Sequence, residues 1–98
     1  MAVDKFGKEI VVGSYIVYPY MYGYSVGTRI GKVTAVKTKP HQWKEGEVAT
    51  PLTVIGIDDA YGEPKLLSKK STLQFAERAV VLSPEQIPEN YKVLLDNY

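Results

Sequence analysis

The sequence predicts a small all-β barrel of about five strands with a short C-terminal helix, and three observations carry that expectation. β-Branched and aromatic residues crowd the first half of the chain, where they suit a pleated, half-buried surface better than a helix. Turn-forming residues at Gly7, Gly13, Pro19, Gly23, Gly27, Pro40, Gly46, Pro51, Gly62 and Pro64 cut that half and its continuation into short segments. At the far end Tyr91, Leu94, Leu95 and Tyr98 recur at the spacing of one helix face.

Composition sets the bounds. A chain of 98 residues is of single-domain size, and burial of roughly two-thirds of its unfolded surface is expected at that length. With 45% apolar and 23% charged residues it is an ordinary globular sequence rather than a disordered one. Twelve Lys and Arg against eleven Asp and Glu leave a formal charge of +1, so any contact with phosphates needs a local patch rather than a basic field. The absence of cysteine removes disulfides, thiolate chemistry and Cys-type zinc sites. The opening "MAVDKFGKEIVV" mixes charges and lacks the apolar core of a signal peptide, and no apolar run approaches the ~20 residues of a membrane span. A soluble cytoplasmic protein is expected.

The elements follow in order. "EIVVG" leads into "SYIVYPY", the first substantial strand, and "GTRIGKVTAVKT" is the second. Gly31 inside that second strand predicts a bulge or a close backbone approach. Ile30, Val33 and Val36 do not keep one two-residue phase, and a bulge would bring all three to the inner face of a curved sheet. After the loop "KPHQWKEGEVATP", "LTVIGID" is the third strand and "KLLSKKSTLQF" the fourth, joined by a turn at "DAYGEP". "AERAVVLS" predicts one helical or 3₁₀ turn feeding a last short strand over 79–82. Residues 84–98 form a C-terminal extension to a barrel over 1–83. There Ser83, Pro84 and Gln86 resemble a helix start, and Pro88 opens the helix that closes an open end of the barrel.

Val12-Gly13-Ser14-Tyr15-Ile16-Val17-Tyr18 and Gly31-Lys32-Val33-Thr34-Ala35-Val36, followed by a late turn into a short final strand, resemble SH3-like small barrels of the KOW and Tudor type. Ser14 stands where that pattern commonly has Asp. In style the chain is also similar to small bacteriophage proteins. The resemblance implies a five-stranded SH3-like barrel and a non-catalytic role beside RNA, DNA or a nucleic-acid-associated protein, with no cofactor.

Five tyrosines fall within ten residues, Tyr15 to Tyr24. Tyr18, Tyr20, Tyr22 and Tyr24 share even spacing, so an extended segment points them to one side and Tyr15 to the other. Beside Arg29 and Lys32 such a row suits base stacking; its plainer use is to cover the hairpin and fill the core. Lys65, Lys69 and Lys70, with Arg78, form a moderate basic patch if they join Arg29, Lys32 and Lys37, or else simply guard an exposed strand edge. His41 and Trp43 share the long loop, where a Trp on a rigid scaffold is a common contact residue. A lone His is a poor metal site, and the turn at Asp58, Asp59 and Glu63 lacks calcium-loop spacing.

The functional expectation is a binding module and not an enzyme. Tyr20, Tyr22 and Tyr24 stack bases, while Arg29, Lys32 and Lys69 meet phosphate. The alternatives are a protein-interaction module, such as a phage protein whose His41–Trp43 loop engages a host partner, or a self-associating structural protein. No membrane contact is expected.

Overall fold

Alternation along the tyrosine-rich segment produces the first of two long strands. These are β1 (Tyr15–Tyr22) and β2 (Ser25–Val36), paired antiparallel from Tyr15 opposite Lys32 to Tyr22 opposite Ser25. The computed structural model describes residues 2–22, 24–40, 46, 48–59 and 62–98, with Tyr22, Ser25, Pro40 and Val48 described by backbone alone. His41 and Trp43 therefore lie outside the described residues, as does part of the turn between the third and fourth sequence-predicted strands.

A two-residue ladder of β3 (Lys39–Pro40) with β4 (Val48–Ala49) stands apart from the main sheet. The chain then runs through β5 (Leu52–Asp58), β6 (Lys65–Leu66), β7 (Ser71–Leu73) and β8 (Val80–Leu82) before helix α1 (Glu89–Asp96). The six main strands form one antiparallel sheet in the order β6-β5-β2-β1-β8, with β7 also bordering β5. Among the described residues no ladder joins β6 or β7 to β8, so the architecture is an antiparallel sheet with one short C-terminal helix. The sequence-predicted fourth strand is divided: Ile57 pairs with Leu66 but Leu52 with Leu73, so the Leu67–Lys70 stretch carries extra residues. A single 3₁₀ turn, Ala76–Arg78, leads into β8 as expected.

Pairing divides the side chains between two faces. Ile16, Tyr18 and Tyr20 of β1 share the inner face with Gly31, Arg29 and Gly27 of β2 and with Gly56, Val54 and Leu52 of β5. The core on this side joins Ile16, Tyr18, Val33, Leu52 and Val54 to Ala2 and Ile10 of the N-terminal segment and to Ala76 and Ala79. The register slips between Val33 and Ala35, and this bulge lets Val33 and Val36 both face inward. Ile30 does not join them: it lies before the bulge, on the outer face, where it packs beneath the helix. The helix likewise covers a face rather than an end. Its Leu95, fully buried, and the half-buried Tyr91 and Leu94 pack on Ile55, Ile57, Ile30 and Leu66. Two hydroxyls fasten it, Tyr15 donating to Asp96 and Tyr91 donating to Asp59. Those carboxylates, with burial, push both phenol pKa values up.

The N-terminal segment is pinned by one buried carboxylate. Asp4, only 4% exposed, accepts from Lys8 N at 2.8 Å and Phe6 N at 2.9 Å through Oδ1, and from Val81 N at 2.8 Å through Oδ2. Burial by itself would raise its pKa. The Val81, Lys8 and Phe6 N–H groups and the Lys8 charge together outweigh burial and hold it below the ordinary aspartate value.

The middle of the inner face is occupied by Tyr18. Its ring crosses Gly31, where an added Cβ would come within 2.9 Å of Cε1, and its hydroxyl reaches Gly56. A methyl on Gly56 would overlap that oxygen. Gly31 is thus the close backbone approach expected from the sequence, and the bulge lies further along the strand.

Two stability predictions follow. Asn at position 4 turns an N–H donor toward one of the backbone donors, so Asp4→Asn should cost about 1–3 kcal/mol in urea unfolding at neutral pH. Because the folded pKa is depressed, this contribution is complete above the ordinary aspartate range and lost as pH falls through the folded value. The gap between wild type and variant should therefore begin to narrow below about pH 4 and close only below the depressed folded value, and a constant gap down to low pH would refute the assignment. Gly56→Ala should cost about 1–3 kcal/mol through overpacking, and part of that should return in the double variant with Tyr18→Phe. Strict additivity would mean that ring and glycine do not touch.

Candidate nucleic-acid interface

The inner face continues past Tyr18 along the β1–β2 hairpin. Gly27 stands opposite Tyr20, and an added Cβ there would come within 2.8 Å of Tyr20 Cε1, so the missing side chain lets the ring lie against the strand. Arg29, two residues along β2 on the same face, sets its guanidinium 3.8 Å from the Tyr20 ring centroid. A guanidinium over an aromatic face contributes about 0.5–1 kcal/mol at an exposed site. Its larger effect here is to fix a long, flexible cation in one orientation.

These residues form one wall of a cleft of about 300 Å³, with Ser71, Thr72 and Leu73 of β7 on the other side and Tyr18 among its lining residues. That volume is at the small end of ligand pockets and has room for a single planar ring. Ser71 and Thr72 are exposed, so their hydroxyls are open to hydrogen bonding. Among the described residues no carboxylate forms an ion pair with Arg29, and the mouth of the cleft carries an uncompensated positive charge. Among the described residues the Tyr18 hydroxyl has no hydrogen-bond partner. Burial raises its pKa, only partly offset by Arg29, and it stays a neutral phenol.

The sequence-predicted residues divide among several places. Tyr20 and Arg29 are in contact. Tyr24 is wholly exposed, 106% on the relative scale, in the turn of the hairpin rather than in the strand row. The Tyr22 backbone keeps the inner-face register opposite Ser25, while its side chain is outside the description. Lys32 lies on the other face, half-buried and opposite Tyr15 and Ile55, so the sheet separates it from Tyr20 and Arg29. Lys69 is exposed in the stretch between β6 and β7, two residues before Ser71. Lys70 instead approaches the Tyr98 ring, 5.4 Å from its centroid.

Ser71, Thr72 and Leu73 were not singled out by sequence reading, because only the β5–β7 register brings them opposite the hairpin. A signal did exist for the aromatic pair: glycine recurs at 27 and 31, two residues on each side of Arg29, where it leaves room for rings from a paired strand. No group of three or more His, Asp or Glu able to hold a metal ion lies among the described residues. No helix among them is long and apolar enough to cross a membrane. Comparison with protein families, with curated proteins and with solved structures finds no match to this chain.

The stack gives a direct spectroscopic expectation. Arg29 side-chain protons should be shifted upfield by the Tyr20 ring current, and Gly27→Ala should collapse that shift by pushing the ring aside while the fold is retained. An unchanged Arg29 shift in Gly27→Ala would contradict the placement of the ring.

Proposed function

We propose that this chain is a non-catalytic binding module, an SH3-like barrel in the KOW and Tudor style, that holds single-stranded nucleic acid at the Tyr20–Arg29 cleft. The strand order β8-β1-β2-β5-β7 and the 3₁₀ turn before β8 support the barrel reading, together with the motif-like segments around Gly13 and Gly31.

The single observation that carries the ligand class is the Arg29 guanidinium held 3.8 Å over Tyr20 at the mouth of a cleft with exposed hydroxyls. A base stacks on a guanidinium plane as readily as on an aromatic ring. With Tyr20 lying against Gly27 and covered by Arg29, the guanidinium is the surface offered, and Tyr20 is its prop. Tyr24 at the hairpin turn stacks a neighbouring base, and Ser71 and Thr72 reach base edges. Lys69 lies where a phosphate leaves the cleft. Only unpaired strands can present a base to so small a cleft, so duplex is excluded by shape. Lys32, on the opposite face, takes no part.

Fluorescence anisotropy with a labelled single-stranded RNA or DNA oligonucleotide tests this. With Lys69 and the Arg29 charge each neutralising one phosphate of a single strand, binding should weaken about sevenfold between about 50 and about 200 mM salt. Arg29→Ala should cost about 1–3 kcal/mol, and Lys32→Ala close to nothing. Salt-insensitive binding, or an Arg29→Ala variant that binds like wild type, would remove the proposal.

A further inference from the structure

The outer face of the same hairpin presents a different chemistry. Helix α1 covers this face over Tyr15, Ile30, Ile55, Ile57 and Leu66, and the covering ends there. Val17 stands directly opposite Ile30 and Val80, and the face continues through Pro19 opposite Thr28 to Met21 opposite Val26. Met21 is 74% exposed and Val26 71%, so two large apolar side chains stand in solvent beside an apolar layer that is covered elsewhere. At the near end Val17, Tyr18, Pro19, Thr28 and Val80 line a cleft of about 340 Å³ together with Lys5 and Arg78. Both cations are exposed, and among the described residues neither forms an ion pair; Arg78 lies 5.0 Å from the Phe75 ring centroid.

We infer that this outer face, from Val17 and Val80 to Met21 and Val26, is the docking site for a short acidic amphipathic helix of a protein partner. Three features select that occupant. The first is charge: two unpaired cations at the rim of an apolar floor call for carboxylates flanking an apolar stripe. The second is continuity. The chain's own helix α1 already covers the adjoining half of the face with Tyr91, Leu94 and Leu95, and its carboxylate Asp96 accepts from a group on the sheet. A second helix laid beside it extends the same layer. The third is size. From Val17 to Met21 β1 runs about 14 Å, the length of a helix of about nine residues.

An added strand fits less well. The stretch of β1 beyond Val17 is free of β8, but Pro19 in its middle has no N–H to donate to a ladder. Nucleic acid fits less well too, because among the described residues the face is mainly Val, Pro and Met, with Tyr18 the one aromatic lining its cleft. The site lies across β1 from the Tyr20–Arg29 cleft, and the two adjoin along that strand, since Pro19 and Met21 also line the Tyr20–Arg29 cleft and Tyr18 lines both clefts. The Arg29→Ala variant, altered in the first alone, tells them apart.

The test is selection from a displayed library of random peptides of about a dozen residues, long enough for the helix the face would hold. The bait is the whole chain. The enriched peptides should carry apolar residues at i, i+3 or i+4 spacing and net negative charge, and should gain helical circular dichroism on binding. They should lose binding to the Met21→Asp/Val26→Asp variant, whose exposed substitutions leave the fold intact. Binding to Lys5→Glu/Arg78→Glu should weaken at least about tenfold, as for loss of close charge pairs. Arg29→Ala should bind them as wild type does, whatever its effect on oligonucleotides. No enrichment, enrichment of basic or extended sequences, or peptides indifferent to Met21→Asp/Val26→Asp would overturn the proposal. Concentration-dependent sedimentation abolished by Met21→Asp would also overturn it, by making the occupant a second copy of this chain.

Discussion

Tyr18 lying across Gly31 toward Gly56 is the constraint on which the rest of the sheet depends. A tyrosine ring fits flat on the inner face only where its neighbours on β2 and β5 lack Cβ atoms. Shifting either pairing by one residue would put Ile30, Lys32, Ile55 or Ile57 beneath the ring and turn every buried side chain to the wrong face. The contact therefore sets register across three strands at once. Its cost is a buried phenol hydroxyl with no partner among the described residues, a smaller penalty for a neutral group than for a charge.

Around that centre the chain builds two thin cores instead of one thick one, an answer to the surface-to-volume problem of a short chain. The inner core is closed by the N-terminal segment, which Asp4 ties to Val81 of β8. The outer core is closed by α1, which Tyr15 and Tyr91 tie at two points. An isolated eight-residue helix would not persist in water; Leu95 and the two hydroxyl clasps supply what propensity does not.

The same division by the sheet decides what the surface can do. Tyr20 and Arg29 face inward with the β7 hydroxyls, giving a polar cleft with one fixed cation. Met21, next to Tyr20 in sequence, and Val26, three residues before Arg29, are the exposed end of an outer face whose other end, at Val17 and Val80, lies beside Lys5 and Arg78. Neighbouring residues in one hairpin thus present two chemistries that adjoin along β1, where Tyr18 and Pro19 line both clefts.

Much of this was legible in the sequence where the physics is local. Strand content, the third strand at Leu52–Asp58, the 3₁₀ turn at Ala76–Arg78 and the helix after Pro88 follow from alternation, turn residues and helical spacing, all of which act within a few residues. So does the expectation that Tyr18 and Tyr20 share a face that Tyr15 does not. What only the tertiary structure decided are matters of pairing. Ile30 went outward because the bulge falls after Val33, not before it. Ser71 and Thr72 came opposite the hairpin through a register shift along β5 that no local pattern encodes. Local spacing determines which way a side chain points relative to its own strand; which neighbour it meets there depends on contacts between residues far apart in the chain.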